Sequence, residues 1–124
     1  MFRRIALACA IAAGLAAPAA QAHHSYAMFD RSKTVTLNGV VKQFQWTNPH
    51  SWIQLTVPGD GGATDEWSIE MGSPFELLRV GWTTTTVRVG EKVSIQIHPV
   101  KDGTKGGGFV SGADADGHAL GGGK

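Results

Sequence analysis

Cysteine is nearly missing from this 124-residue chain, where Cys9 is the only one. One cysteine excludes an internal disulfide framework, a thiolate metal cluster and a paired redox motif. Charge is sparse too, at 17% of residues, and almost balanced in sign. After the first twenty residues there is no apolar run long enough to span a membrane. Enzyme signatures are scarce. Gly103-Thr104-Lys105-Gly106-Gly107-Gly108 lacks the spacing and the Lys-Ser/Thr ending of a phosphate loop. Asp114-Ala115-Asp116-Gly117 is half a calcium loop without its later acidic ligands, and reads as a turn. No serine sits in a nucleophile elbow. Glu66, Glu70 and Glu76 give no pair that sequence alone sets at a catalytic spacing. These absences point to a binding domain rather than an enzyme.

What is present begins with a leader. Met1-Phe2-Arg3-Arg4 is followed by an Ala-rich apolar run and then Ala20-Gln21-Ala22, the order of a secretory signal with its cleavage site. Residues 1–22 are therefore expected to be removed. Cleavage takes away Cys9, Arg3 and Arg4. The basic count falls from 11 to 9 against 10 acidic residues, a net side-chain charge of −1. That balance argues against nucleic acid and against an anionic membrane as partners. The remaining 102 residues suffice for one domain on a hydrophobic core alone.

Residues 23–33 have no clean periodicity, though Tyr26, Met28 and Phe29 offer anchors to a domain surface. Thr34 to Trp46 alternates like a strand, with a change of apolar phase placed at Gly39, where a bulge or bend is expected. Asn48-Pro49 is a turn signal. Ser51–Val57 and Glu66–Met71 alternate again and should form a hairpin. Ser73-Pro74-Phe75-Glu76 is a helix start with a capping box, and Gly81 ends the helix after about two turns. Phe75 and Leu78 share a face of it. Thr83–Thr86 is expected to be extended. Val93–Val100 is a strand with Val93, Ile95 and Ile97 inward, and a last strand starts at Phe109. Residues 121–124 should fray.

Three strands, a short helix and two strands is the order of an OB-fold, a five-stranded Greek-key barrel. The expectation is an all-β OB-like domain over residues 34–120, with one helix between strands three and four. A small open β-sandwich is the alternative. Several stretches then carry a resemblance: Gly39-Val40-Val41, Trp46-Thr47-Asn48-Pro49-His50-Ser51-Trp52, Trp67-Ser68-Ile69-Glu70, Leu78-Arg79-Val80-Gly81-Trp82, Val89-Gly90-Glu91-Lys92-Val93 and His98-Pro99-Val100-Lys101-Asp102-Gly103. In that order they resemble a family of small secreted bacterial proteins known only as domain-of-unknown-function family 6152. The resemblance implies a single periplasmic domain and brings no activity or catalytic residue.

Two sets of residues carry candidate chemistry. Cleavage after Ala22 makes His23 the amino terminus. Its amine and ring nitrogen chelate one metal, and a further histidine completes a three-nitrogen set suited to copper(II). His24 offers another mode through its own imidazole. His98, on the polar face of its strand and near the start of the first strand in an OB topology, is the expected partner, ahead of His50. The metal set is thus His23, His24 and His98, with copper as the expected metal. Trp46, Asn48, His50 and Trp52 form the second set, a ligand or protein-partner face beside the loop between strands one and two. Burial of the tryptophans over the barrel mouth is the competing reading.

Overall fold

The computed structural model describes residues 26–122. The expected leader and both His23 and His24 lie outside the described residues. Five strands, β1 (Val35–Gln45), β2 (Trp52–Pro58), β3 (Thr64–Glu70), β4 (Lys92–Pro99) and β5 (Gly106–Asp114), close into a barrel in the order β1-β2-β3-β5-β4. All neighbours are antiparallel except β3 and β5, which run parallel. One helix, α1 (Pro74–Arg79), lies between β3 and β4. This is the OB-like barrel the sequence predicts, and the sandwich alternative falls with the closure.

β1 is long because it serves two neighbours. Val35–Val40 pair with β4, and Val40–Gln45 pair with β2. The phase change is not at Gly39. Leu37 and Val41 are both buried, Val40 is exposed, and the register slips between Val41 and Gln43. The extra residue there, Lys42, turns Phe44 and Trp46 inward. Gly39 has another role. A Cβ on it would sit 2.6 Å from the Thr56 carbonyl oxygen, so only glycine allows β2 to pass so close.

The interior follows the alternation of the strands. Leu37, Val41, Ile53, Leu55, Ile69, Val93, Ile95 and Ile97 are buried and share one cluster. One end of the barrel is closed by aromatic rings. Phe44 lies 5.8 Å from Trp46 and 6.0 Å from Trp82, and Trp82 meets Phe109 edge-on at 5.3 Å between centroids. α1 begins as predicted. Ser73 Oγ accepts from the Glu76 amide, and Glu76 Oε2 accepts from the Ser73 amide at 2.8 Å. Its buried side chain is Leu77, whereas Phe75 and Leu78, the expected apolar face, are exposed. A helix of six residues touches the barrel along one line, and Leu77 holds that line.

Three further expectations need correction. Thr83–Thr86 is a turn, because the Thr86 hydroxyl accepts from the Thr83 amide at 2.8 Å and so competes with a ladder. β5 starts at Gly106 rather than Phe109, since Gly106–Gly108 pair with Ser68–Glu70. Gly121 and Gly122 are held rather than frayed: Gly121 packs on the Trp82 indole, and the Gly122 amide donates to the Val80 carbonyl at 2.6 Å.

Candidate functional site

The residues before β1 form a strap across the outer face of β4 and β5. The Asp30 amide donates to the Pro99 carbonyl at 2.8 Å, and the Lys101 amide to the Met28 carbonyl at 2.9 Å. Of the three anchors expected in this segment only Phe29 is buried, while Tyr26 and Met28 stay exposed. Phe29 lies where a Cβ on Gly108 would be, 3.0 Å from its Cδ2. The missing side chain at Gly108 is therefore the seat of the strap.

Register makes that glycine the middle of a row. Glu70 on β3 and His98 on β4 both pair with Gly108, and Trp52 on β2 pairs with Glu70. At about 4.8 Å between strands, Glu70 and His98 flank a gap of roughly 10 Å between Cα atoms. A cavity of about 490 Å³ opens there, lined among others by Tyr26, Phe29, Arg31, Glu70, His98 and Phe109. His98 Nδ1 donates to the Lys33 carbonyl at 2.8 Å, which ties the ring to the strap and leaves Nε2 as its lone-pair nitrogen.

His50 reaches the same place from the loop between β1 and β2. The Thr47 hydroxyl donates to the His50 carbonyl at 2.8 Å. Ser51, fully buried, donates its amide to the Gly72 carbonyl and accepts from the Met71 amide, both at 2.9 Å. The loop is thus fixed to the end of β3. It sets His50 Nδ1 2.7 Å from Glu70 Oε1. The two atoms lie off the line a hydrogen bond needs, so among the described residues Nδ1 is buried without a hydrogen-bond partner. The Tyr26 ring stands over His50, 6.1 Å between centroids. Glu76 is near as well. Hydrogen bonds from the Ser73 backbone and hydroxyl hold its carboxyl below the ordinary value.

Of the predicted site residues, His98 lines the cavity and His50 adjoins it. His23 and His24 lie outside the described residues, three and two positions before Tyr26 in the sequence. Trp46, Asn48, His50 and Trp52 do not share one face. Trp46 belongs to the aromatic closure of the barrel end, Asn48 is exposed, and Trp52 is half-buried in the row beside Glu70. Sequence reasoning missed Glu70, Tyr26 and Arg31. Alternation had put Glu70 on a polar face, which reads as solvent, and nothing in that pattern announces the neighbour across β5. Asp114, Asp116 and His118 also bring ligand atoms within 4.8 Å of one another. There the Asp114 carboxylate accepts from the Asp116 and His118 amides at 2.9 Å, so the group is the turn the sequence predicts.

Fold and site together define a small OB-fold domain with a strapped cavity on its outer face. The chain belongs to a family of unknown function, DUF6152, which matches residues 10–109. No curated protein matches it in sequence. Among solved structures it is similar to the mitochondrial single-stranded DNA-binding protein Rim1 of S. cerevisiae, at 15% identity and a TM-score of 0.50, over 73% of this chain and 96% of that one. A selenomethionine form of Rim1 gives 15% identity and a TM-score of 0.45 over 74% and 97%. The exclusion of nucleic acid drawn from charge balance is corrected by this finding, because the barrel is shared with proteins that bind single-stranded DNA. At 15% identity the likeness is one of fold and transfers no ligand.

Proposed function

We propose that this chain is a secreted, periplasmic binding domain for a transition metal, copper(II), held by His98 with the histidines of a mature amino terminus at His23. The observation that carries the reading is the position of His98. It lines the cavity under the strap, its Nδ1 is engaged by Lys33, and its Nε2 is left as a donor. A metal-bound histidine is commonly oriented by such a carbonyl on its other nitrogen. Tyr26, three residues after His23, lines the same cavity. Three residues reach at most about 11 Å, so the terminal amine and the two imidazoles fall within range of it. An amine with a pKa of about 7.7–8.0 gives up its proton to copper(II) at neutral pH. The absence of cysteine from the mature chain suits nitrogen ligation in an oxidising compartment.

The test is a copper(II) titration of the chain starting at His23, its mass first checked for cleavage after Ala22. The control carries three extra alanines ahead of His23. One or two would put a histidine third from the terminus and create a new chelate. The expected result is at least a tenfold weaker affinity in the control. Equal affinities overturn the amino-terminal site.

A further inference from the structure

We infer that His50 Nδ1 and Glu70 Oε1 form a second, preformed chelate for a divalent transition metal, built wholly from the barrel and its first loop. This site goes beyond the reading above and does not need the terminal amine, so the two stand or fall separately.

Glu70 is only 8% exposed, lines the cavity, and has His50 as its ion-pair neighbour among the described residues. Buried carboxylates are ordinarily hydrogen-bonded or bound to a metal. The atom left without an aligned partner belongs to its neighbour. His50 Nδ1 is buried, has no aligned hydrogen-bond partner among the described residues, and lies 2.7 Å from Glu70 Oε1 off the line a shared proton would take. A cation to one side of that line satisfies both atoms at once. Both groups are fixed before any ion arrives. Glu70 is held in the ladder by Trp52 and Gly108, and His50 is held by the Thr47 and Ser51 bonds.

The separation is short enough for one ion to be shared. With metal–ligand bonds of about 2.0 Å, neighbouring ligands are about 2.8 Å apart in a square or octahedral sphere and about 3.3 Å apart in a tetrahedral one. The observed 2.7 Å matches the first. Copper(II), at the top of the divalent series for nitrogen and oxygen donors, is the ion such a pair holds most tightly. One imidazole nitrogen with one carboxylate oxygen is a donor set this ion accepts. The Tyr26 ring lies beside the imidazole, tilted to it at 6.1 Å between centroids.

The experiment uses the mature chain with His23→Ser and His24→Ser, so that terminal histidine chelation is gone. Copper(II) is titrated by calorimetry and followed by electron paramagnetic resonance. In this parent the expected spectrum is tetragonal with nitrogen coupling from one imidazole, and copper(II) broadens the His50 and Tyr26 ring resonances before those of His118. Glu70→Gln keeps the shape and removes the anionic oxygen, and it is expected to weaken binding at least tenfold. His50→Asn is expected to remove the nitrogen coupling, and zinc(II) to bind at least tenfold more weakly than copper(II). A parent whose His50 resonances stay sharp with copper(II) bound overturns the site, as do Glu70→Gln and His50→Asn variants that bind as the parent does. The parent spectrum needs no variant to fold. Loss of the His23 site with survival of this one separates the two proposals.

Discussion

If the missing side chain at Gly108 is what seats the strap, then Gly108 and Phe29 are energetically one unit. A Cβ at position 108 would lie 3.0, 3.2 and 3.6 Å from three carbons of the Phe29 ring. The nearest approach is roughly 0.5 Å inside ordinary carbon–carbon contact, so the ring must lift. Gly108→Ala should then cost about 1–2 kcal/mol, the range for overpacking against a side chain that can yield. Phe29→Ala should cost about 3 kcal/mol, the low end for a buried phenylalanine, because a strap relaxes more readily than a core. In the Phe29→Ala background the obstacle is gone. Alanine for glycine within a strand then gains about 0.5 kcal/mol. The cycle closes with a coupling of about 2 kcal/mol, well above the scatter expected for independent sites. Urea unfolding of the four proteins measures it, with a slope near 1 kcal/mol/M for a domain this small and a midpoint lowered by about 1.5 M in Gly108→Ala. An equal cost of Gly108→Ala in both backgrounds would falsify the seat. The effect would then lie in the β3–β5 or β4–β5 ladder instead.

Gly107→Ala provides the contrast. Its Cβ would collide with the His98 carbonyl and come within 2.7 Å of Ile97 Cδ1, a backbone obstacle that cannot lift. A loss of about 3 kcal/mol or more is expected in the same unfolding assay, and a near-neutral result would mean that β5 is not held this close. Ser73→Ala removes the cap of α1 and should cost about 1 kcal/mol by urea unfolding, with amide exchange accelerated at Glu76 and Leu77. The Glu76 carboxyl is held below its ordinary value chiefly by the Ser73 backbone N–H, then by the Ser73 hydroxyl. A depressed carboxyl stabilises the fold fully above its unfolded pKa, and that stabilisation is lost as pH falls through the folded value. An NMR titration from pH 6 downwards should therefore find Glu76 titrating below the ordinary carboxylate range, and Ser73→Ala should move it up. A Glu76 midpoint unchanged by that substitution would contradict the capping geometry.

The architecture was legible where side chains alternate and opaque where they are missing. Val93, Ile95 and Ile97 announce an inward face, and Ser73 with Glu76 announces a helix start; both are found. Gly106–Gly108 have no side chains to alternate, so the start of β5 reads as loop although it is the segment that closes the barrel. The apolar pattern points to a bulge at the glycine in β1. It lies instead at Lys42, whose exposed side chain gives no apolar signal of the extra residue. Glu70 escaped for a different reason. Its neighbours His98 and Gly108 belong to strands that come after the helix, and only the register of the closed sheet makes them one row. Local pattern reaches the strands, and pairing between distant strands makes the site.

That distinction also explains how the loop of two tryptophans serves the site without its tryptophans forming it. The extra residue at Lys42 turns Phe44 and Trp46 inward, where the aromatic closure holds the start of the loop. At the other end, pairing of Trp52 with Glu70 fixes where the loop must finish. Between two fixed ends only five residues remain, and Thr47 and Ser51 bond the loop to itself and to the end of β3. His50 then lies beside Glu70 because the chain between these anchors has little other room. The tryptophans anchor the two ends of the loop that carries His50, and Tyr26 of the strap meets the same histidine. Sequence order sets His50 and Tyr26 on either side of the whole of β1. The bend of that strand makes them neighbours, and the chemistry of the cavity follows from the bend.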